Sequence, residues 1–588
     1  MPRSLRLGCS ALALILCASA PASATADKPD ISRQAEQGSP AGNYLAGRTA
    51  AGLRDMEAAA TFLRSALSAQ PKDAELLDRT FRIVLASGDF ERGAALAERV
   101  VAADPNNRIA RLTLAVRALK ARQYSAARNQ VGQAMRGPIP DVAAALVSAW
   151  AWQGSGDTER ALKTADSLTG NELITVFRDL HSGLIAEAGG KLDEAGKRFA
   201  AAYAADQSLY VVVDAYGRFL ARTGKKDEAL GVYRELAGKM PRNALLSDTI
   251  SRIEKGEKLP PVITSPKDGA AEALFSFGQF ASRGESAEIG LVYLNLGLYL
   301  NPDHEFGLLT LADLLETIGQ HDKAIAVYQR VPASSAFHGD VVLRIAVNLA
   351  ASDRMDEAEK QLKEIIESDR NDIDAITALG NLLHSEKKYP EAAATFSQAI
   401  DALAEPGKSD WSLFFARAVS YDAAKNWKNA EKDLRMAVTL DPEQAIVLNY
   451  LGYSWVDRGV NYDQGMEYIK KAVELRPNDG DIVDSLGWAY YRHGKYPEAT
   501  TELERAVELK PQSWEINDHL GDVYWKTGRK LEAKFQWLHA LSLDIEGDKR
   551  GPIERKLNEG LEKVEAEEFE AKKAEAMATQ ANPDSLKP

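Results

Sequence analysis

Leu448-Asn449-Tyr450-Leu451-Gly452-Tyr453-Ser454-Trp455, Asp484-Ser485-Leu486-Gly487-Trp488-Ala489-Tyr490-Tyr491 and His519-Leu520-Gly521-Asp522-Val523-Tyr524-Trp525 are three versions of one run within Ala445 to Ile545. In each, a Leu-Gly pair is followed three residues later by an aromatic: Trp455, Tyr490 or Tyr524. A small residue comes next (Gly465, Ala499, Ala533), then an alanine (Ala472, Ala506, Ala540), and Pro477 and Pro511 close the first two copies. Small, aromatic, small and proline positions recurring every 34 residues mark a helix–turn–helix unit. One such unit cannot bury its own apolar face, so stacked copies form the folding unit.

The frame extends toward the N-terminus. Units begin at Pro40, Ala74, Arg108, Val142, Val176 and Tyr210, and the small-residue slot reads Ala59, Gly93, Ala127, Ala161, Ala195 and Ala229. Gly88, Gly156, Gly190 and Gly224 recur between the two helices, where a positive φ ends the first helix. Asp157, Asp193 and Asp227-Glu228 precede the second helix, where a carboxylate caps the free N–H groups. The frame fails after Pro241, and residues 255–270 carry Pro260, Pro261 and Pro266 with Gly256 and Gly269. We expect a break there between two arrays, its loop held down by Val262-Ile263. The frame resumes at Ala271 and runs through Glu305, Gly339 and Ile373, with Gly290, Ala324, Ala358 and Ala392 in the small slot. An insertion around Pro406-Gly407 lengthens the turn before Trp411. The pattern is identified as that of the tetratricopeptide repeat. It implies an all-α fold, a right-handed superhelix or α-solenoid of about 14 units, six in an array over residues 40–254 and eight over 271–545.

The ends differ. Arg3 and Arg6 precede the apolar run Leu7 to Ala20, and Ala22-Ser23-Ala24 offers a cleavage site, so residues 1–24 read as a secretory signal peptide. Both cysteines, Cys9 and Cys17, lie inside it; Leu16 before Cys17 argues against a lipid anchor. No later run reaches the ~18 apolar residues of a membrane helix. We expect export to the periplasm, with outer-membrane association left open. Residues 25–39 are polar and read as disordered. Over residues 546–578, Ile553, Leu557, Leu561 and Val564 make a narrow apolar stripe on a charged helix, fit to cap the last unit, and 579–588 read as a loose tail.

Net charge is −13, against a general nucleic-acid binder. The eight histidines form no metal set, and no nucleophile elbow or phosphate loop is present; Gly189-Gly190-Lys191 falls in an inter-helix turn. No enzyme activity, catalytic residue, metal or cofactor is expected. Function then lies on the face presented by the first helix of each unit. In the last units that face should carry Asn449, Tyr453, Asp457, Asp484, Trp488, Tyr491, Arg492, Asp518, Asp522 and Trp525, with Glu515 and Lys526 beside them, while Trp455 and Trp537 serve as packing. Aromatics among fixed polar groups suit capture of a protein or extended peptide. The many carboxylates favour basic or neutral segments, and Asn381 alone does not make a carboxylate clamp.

The three opening runs, within Trp411 to Leu543, resemble the C-terminal repeats of long periplasmic tetratricopeptide proteins of Gram-negative bacteria. Some of these are adaptors that bind a carboxyl-terminal processing protease and deliver cell-wall hydrolases to it. The resemblance implies a scaffold or adaptor with such protein partners. The alternative is an accessory subunit of an envelope polysaccharide-export or outer-membrane assembly machine.

Overall fold

The computed structural model describes residues 31–134, 142–239, 244–282, 287–545, 549–567 and 570. Residues 1–24, read above as a signal peptide, and the tail 579–588 lie outside them. The described residues are helical, without a strand. They form two compact units, one ending at Ser368 and one beginning at Asp369.

Among the described residues, fourteen helix pairs follow the repeat frame, from Pro40–Gly52 with Met56–Ala69 to Trp514–Lys526 with Lys530–Ser542. The small-residue slot explains the pairing. Ala59, Ala127, Ala161, Ala195, Ala229, Ala324, Ala358, Ala392, Ala499 and Ala533 are all fully buried, on the second helix where it meets the first. At Gly452 the approach is closer still: a Cβ there would lie 2.6 Å from the Gly465 carbonyl oxygen. The turn after each first helix needs a left-handed residue. Gly88, Gly156, Gly190 and Gly224 supply it, while Arg54, Arg122, Asp353, Lys387 and Lys425 adopt the same conformation at a cost of roughly 1 kcal/mol each.

Helix starts follow the caps rather than the repeat phase. Asn171 accepts from Ile174 N at 3.1 Å, so the fifth pair opens with Glu172–Ala188, four residues ahead of Val176. Ser265 accepts from Asp268 N at 3.3 Å and starts Pro266–Ser282 inside the Pro/Gly-rich stretch. Asp157 caps through Arg160 N, but Asp193, Asp227 and Glu228 sit in the first turn and act there on the helix dipole. Residues 31–37 form a helix where polarity suggested disorder: the Ala35 carbonyl accepts from Asn43 Nδ2 at 2.8 Å and Ser65 Oγ at 2.9 Å.

In the N-terminal unit the chain turns back on itself. Leu259 is buried against the helices around Tyr233 and Leu246, and Ile263 joins the main core. The helices Pro266–Ser282 and Ala287–Leu300 then lie on the first helices of earlier pairs: Ala287–Leu300 on Ala74–Ala86 and Arg108–Lys120, Pro266–Ser282 on Val142–Gly154 and Glu172–Ala188. Asn295 Nδ2 donates to the carbonyls of Leu85 (3.0 Å) and Ala86 (3.1 Å), and Lys120 Nζ to that of Tyr299 at 2.6 Å. Lys323 reaches Asp55 at 3.1 Å. Gly269 lies flat on the fully buried Trp150, whose Nε1 donates to His181 Nδ1 at 3.2 Å. The first helices of four N-terminal repeats are thus covered by the chain's own helix pair.

This seating is testable at Gly269. A Cβ there would come within 2.3 Å of the Trp150 ring, which is fully buried. Gly269→Ala should destabilise the N-terminal unit by about 1–3 kcal/mol despite alanine's better helix propensity. Hydrogen exchange should localise the lost protection to residues 266–300.

Candidate functional site on the first-helix face of the C-terminal repeats

Three first helices carry the site: Ala445–Asp457, Gly480–Arg492 and Trp514–Lys526. Each forms because its apolar positions (Leu448, Leu451 and Trp455; Val483 and Leu486; Ile516, Leu520 and Val523) are buried against the partner helix and the next repeat. That packing turns the remaining positions to the open side.

Side chains one repeat apart meet on this side. Asn449 Nδ2 donates to Ser485 Oγ at 3.1 Å, while its Oδ1 is buried without a partner. Asp457 takes an ion pair from Arg492 at 2.9 Å. Asp484 and His519, both buried, meet at 2.9 Å. The His519 ring stacks on Trp488 with centroids 4.0 Å apart, and Trp488 stacks in turn on Tyr491 at 4.7 Å. Tyr453 is half-buried, its phenol pushed up by burial and then by the charges of Asp457, Glu515 and Asp484. Trp455 and Trp537 are fully buried.

The remaining candidates are met by the C-terminal helices. Lys556, on Arg550–Glu559, places its ammonium 2.8 Å from both Asp518 Oδ2 and Asp522 Oδ2. Asp522 also accepts from Trp537 Nε1 at 3.0 Å; burial pushes its carboxyl up and Lys556 opposes that rise. Tyr491 donates to Glu565 Oε1 at 2.6 Å, Lys526 pairs with Glu565, and Trp525 Nε1 donates to Glu562 Oε2 at 2.7 Å. Four of the carboxylates that composition offered to a basic ligand are therefore answered from within: Asp457 by Arg492, Asp484 by His519, Asp518 and Asp522 by Lys556. The ten residues lie on three successive first helices, with Asp484, Tyr491 and Asp522 buried, and the carboxylates still outnumber the cations once Glu562 and Glu565 are included. Sequence reasoning missed His519, Lys556, Glu562 and Glu565 as members. Lys556 was signalled by its spacing, one repeat after Asp522. Glu565 bonds to a residue 74 positions earlier, which no repeat spacing announces.

Among the described residues no cluster of His, Cys, Asp and Glu could hold a metal ion, and no helix is long and apolar enough to cross a membrane.

Comparison with known proteins agrees with the fold. A family model described as TPR repeat matches residues 487–528, and one described as tetratricopeptide repeat matches residues 80–143. A TPR repeat-containing protein of Pseudomonas aeruginosa is 31% identical over 166 residues, 27% of this chain and 25% of that protein. The Homo sapiens protein O-mannosyl-transferase TMTC1 is 24% identical over 179 residues, 30% of this chain and 20% of that protein. The chain thus spans a quarter or less of the length of these relatives. Among solved structures, a chain of the APC/C hetero-tetramer Cut9-Hcn1 shares 14% identity, with 90% of this chain and 98% of that chain covered and a TM-score of 0.37.

Burial opposes charge on His519, but Asp484 outweighs it and holds the imidazole up at about 9, against an ordinary value near 6.5. A raised folded-state value stabilises fully below the unfolded value. The contribution should therefore be intact below about pH 6.5 and lost as pH rises through about 9. Asp484→Asn should lower the His519 titration midpoint in an NMR titration, since burial then acts with less opposition. It should also remove about 2–3 kcal/mol of stability from the C-terminal repeats at neutral pH.

Proposed function

We propose that this chain, a protein of tetratricopeptide repeats, is an exported, non-catalytic scaffold that binds other proteins through the first-helix face of its C-terminal repeats. Tetratricopeptide repeats are generally non-catalytic scaffolds that bind proteins, and the fold is built of them along most of its described length. The observation that carries the site is the fixed register of the pairs Asn449–Ser485, Asp457–Arg492 and Asp484–His519, with Trp488 held half-exposed against His519. Side chains locked before a ligand arrives lose little freedom on binding. The matching face of four N-terminal repeats is covered by Pro266–Ser282 and Ala287–Leu300, which favours the C-terminal repeats as the docking surface. No transferase chemistry follows from the match to the human enzyme, which reaches a fifth of that protein.

The finer reading is an adaptor in the periplasm that brings substrates, such as cell-wall hydrolases, to a carboxyl-terminal processing protease. It is supported by the resemblance of the C-terminal runs and by the leader-like composition of residues 1–24. Affinity purification of the tagged full chain from its native envelope should recover a protease and hydrolases. Recovery of polysaccharide-export or outer-membrane assembly components instead would favour an accessory role in such a machine.

The face itself is tested by Trp488→Ala combined with Asp457→Ala. This pair should weaken capture of the recovered partner by about tenfold or more, equivalent to ~1.4 kcal/mol, while the chain stays folded, although loss of the Trp488 stacking lowers its melting temperature. Unchanged capture would move the docking surface elsewhere.

A further inference from the structure

The two C-terminal helices do different things. Arg550–Glu559 continues the stack: Lys556 stands one repeat after Asp522, lies in the position of the next first helix, and is buried between Asp518 and Asp522. It closes the exposed end of the last pair, as an open array requires. Residues 561–567 depart from the frame, which would place a turn at 561–563 ahead of a second helix. Gly560, at φ 88, ends the first helix, and the chain starts a second helix directly after it. Arg555 bridges the bend, pairing with Glu559 on one side and Glu567 on the other.

This second helix lies across the first helices of two repeats. Leu561 and Val564 are 1% and 2% exposed, and Leu561 packs with the cluster that contains Trp488, Tyr491 and Trp525. The carboxylate following each meets a donor on the repeats: Glu562 accepts from the Trp525 indole, and Glu565 from the Tyr491 hydroxyl and the Lys526 ammonium. Lys530, 4.6 Å from the centre of the Trp525 ring, adds a second cation at the edge. The repeats here present aromatic surface and N–H and O–H donors. They complement an amphipathic helix with two apolar side chains three residues apart, each followed by an acid.

We infer that residues 561–567 hold this surface as an internal stand-in, and that the partner which takes their place is an acidic amphipathic helix of the same pattern. The inference rests on the C-terminal repeats being the docking surface and names the chemistry that this surface accepts. Burial pushes the Tyr491 phenol up, so it stays a donor across the physiological range and suits a carboxylate. The single glycine joining the two helices lets the second leave while Lys556 keeps the first in place.

The test uses the full chain carrying Leu561→Asp and Val564→Asp, which places two charges in buried positions and should eject the second helix while leaving Lys556 untouched. The probe is a fluorescent synthetic peptide with the sequence of residues 560–572. It should bind the double variant about tenfold or more tighter than it binds the wild-type chain. Adding Lys526→Ala and Tyr491→Phe to the variant should reverse most of that gain. A peptide with Glu562→Lys and Glu565→Lys should not bind. Equal affinity for wild type and variant, or equal binding of the basic peptide, overturns the inference. Should the variant fail to fold, hydrogen exchange on the wild-type chain decides: residues 561–567 should exchange about tenfold or more faster than residues 550–559, whereas equal protection of the two helices marks a fixed cap and overturns the inference. If partner capture still depends on Trp488 and Asp457 while the peptide fails, the scaffold function stands and this assignment of ligand chemistry falls.

Discussion

Each helix pair is held by contact between a first helix and an alanine or glycine on the second. The contact leaves no room for a larger side chain, and Gly452 against Gly465 shows it at its tightest. Close approach sets the angle within the pair, and the angle repeated over the array decides which residues face the next pair and which face outward. The apolar positions go to the interfaces. What remains on the first helices is a ladder of side chains spaced one repeat apart, close enough to bond to one another. The rungs Asn449–Ser485, Asp457–Arg492 and Asp484–His519 are consequences of that spacing.

The chain uses its own first-helix faces twice. In the N-terminal unit the pair Pro266–Ser282 and Ala287–Leu300 lies on four earlier first helices, through Asn295 on helix-end carbonyls and Gly269 on Trp150. In the C-terminal unit residues 561–567 lie on two, through Leu561, Glu562 and Glu565. The two coverings differ in kind. The first buries a long helix pair and seats it against fully buried residues such as Trp150 and Leu85. The second is short, polar along one side and joined by one glycine. A permanent filling and an exchangeable one have these respective marks.

Much of this was legible in the repeat period. The slot filled by Ala59, Ala127 and Ala533 recurs at fixed spacing because each pair meets in the same way, and so the number of pairs could be counted. Helix starts were less legible, because Asn171 and Ser265 cap their helices ahead of the repeat phase. Bonds between side chains one repeat apart, such as Asp457 to Arg492, follow the period. Others do not. The bond from Tyr491 to Glu565, or from Asn295 to Leu85, joins residues whose separation is unrelated to the repeat, and such a contact leaves no trace in a pattern. The pairing of charges on the first-helix face was illegible for the same reason: composition counts Asp518 and Asp522 but cannot place Lys556 between them.

The return of the helices 266–300 onto the first repeats also changes how the N-terminal unit must assemble. A plain stack of repeats is a one-dimensional chain of neighbours; it can nucleate anywhere and fray from either end. Here Asn295 is bonded to a residue 210 positions earlier, and Lys323 to one 268 positions earlier. Those contacts close loops of hundreds of residues, raise the contact order, and make completion of the early repeats wait for chain synthesised much later. The N-terminal unit therefore gains an all-or-none unfolding transition that a linear array lacks. The repeats after Asp369, whose bonds reach mainly the adjacent pair, keep the stepwise behaviour of a zipper.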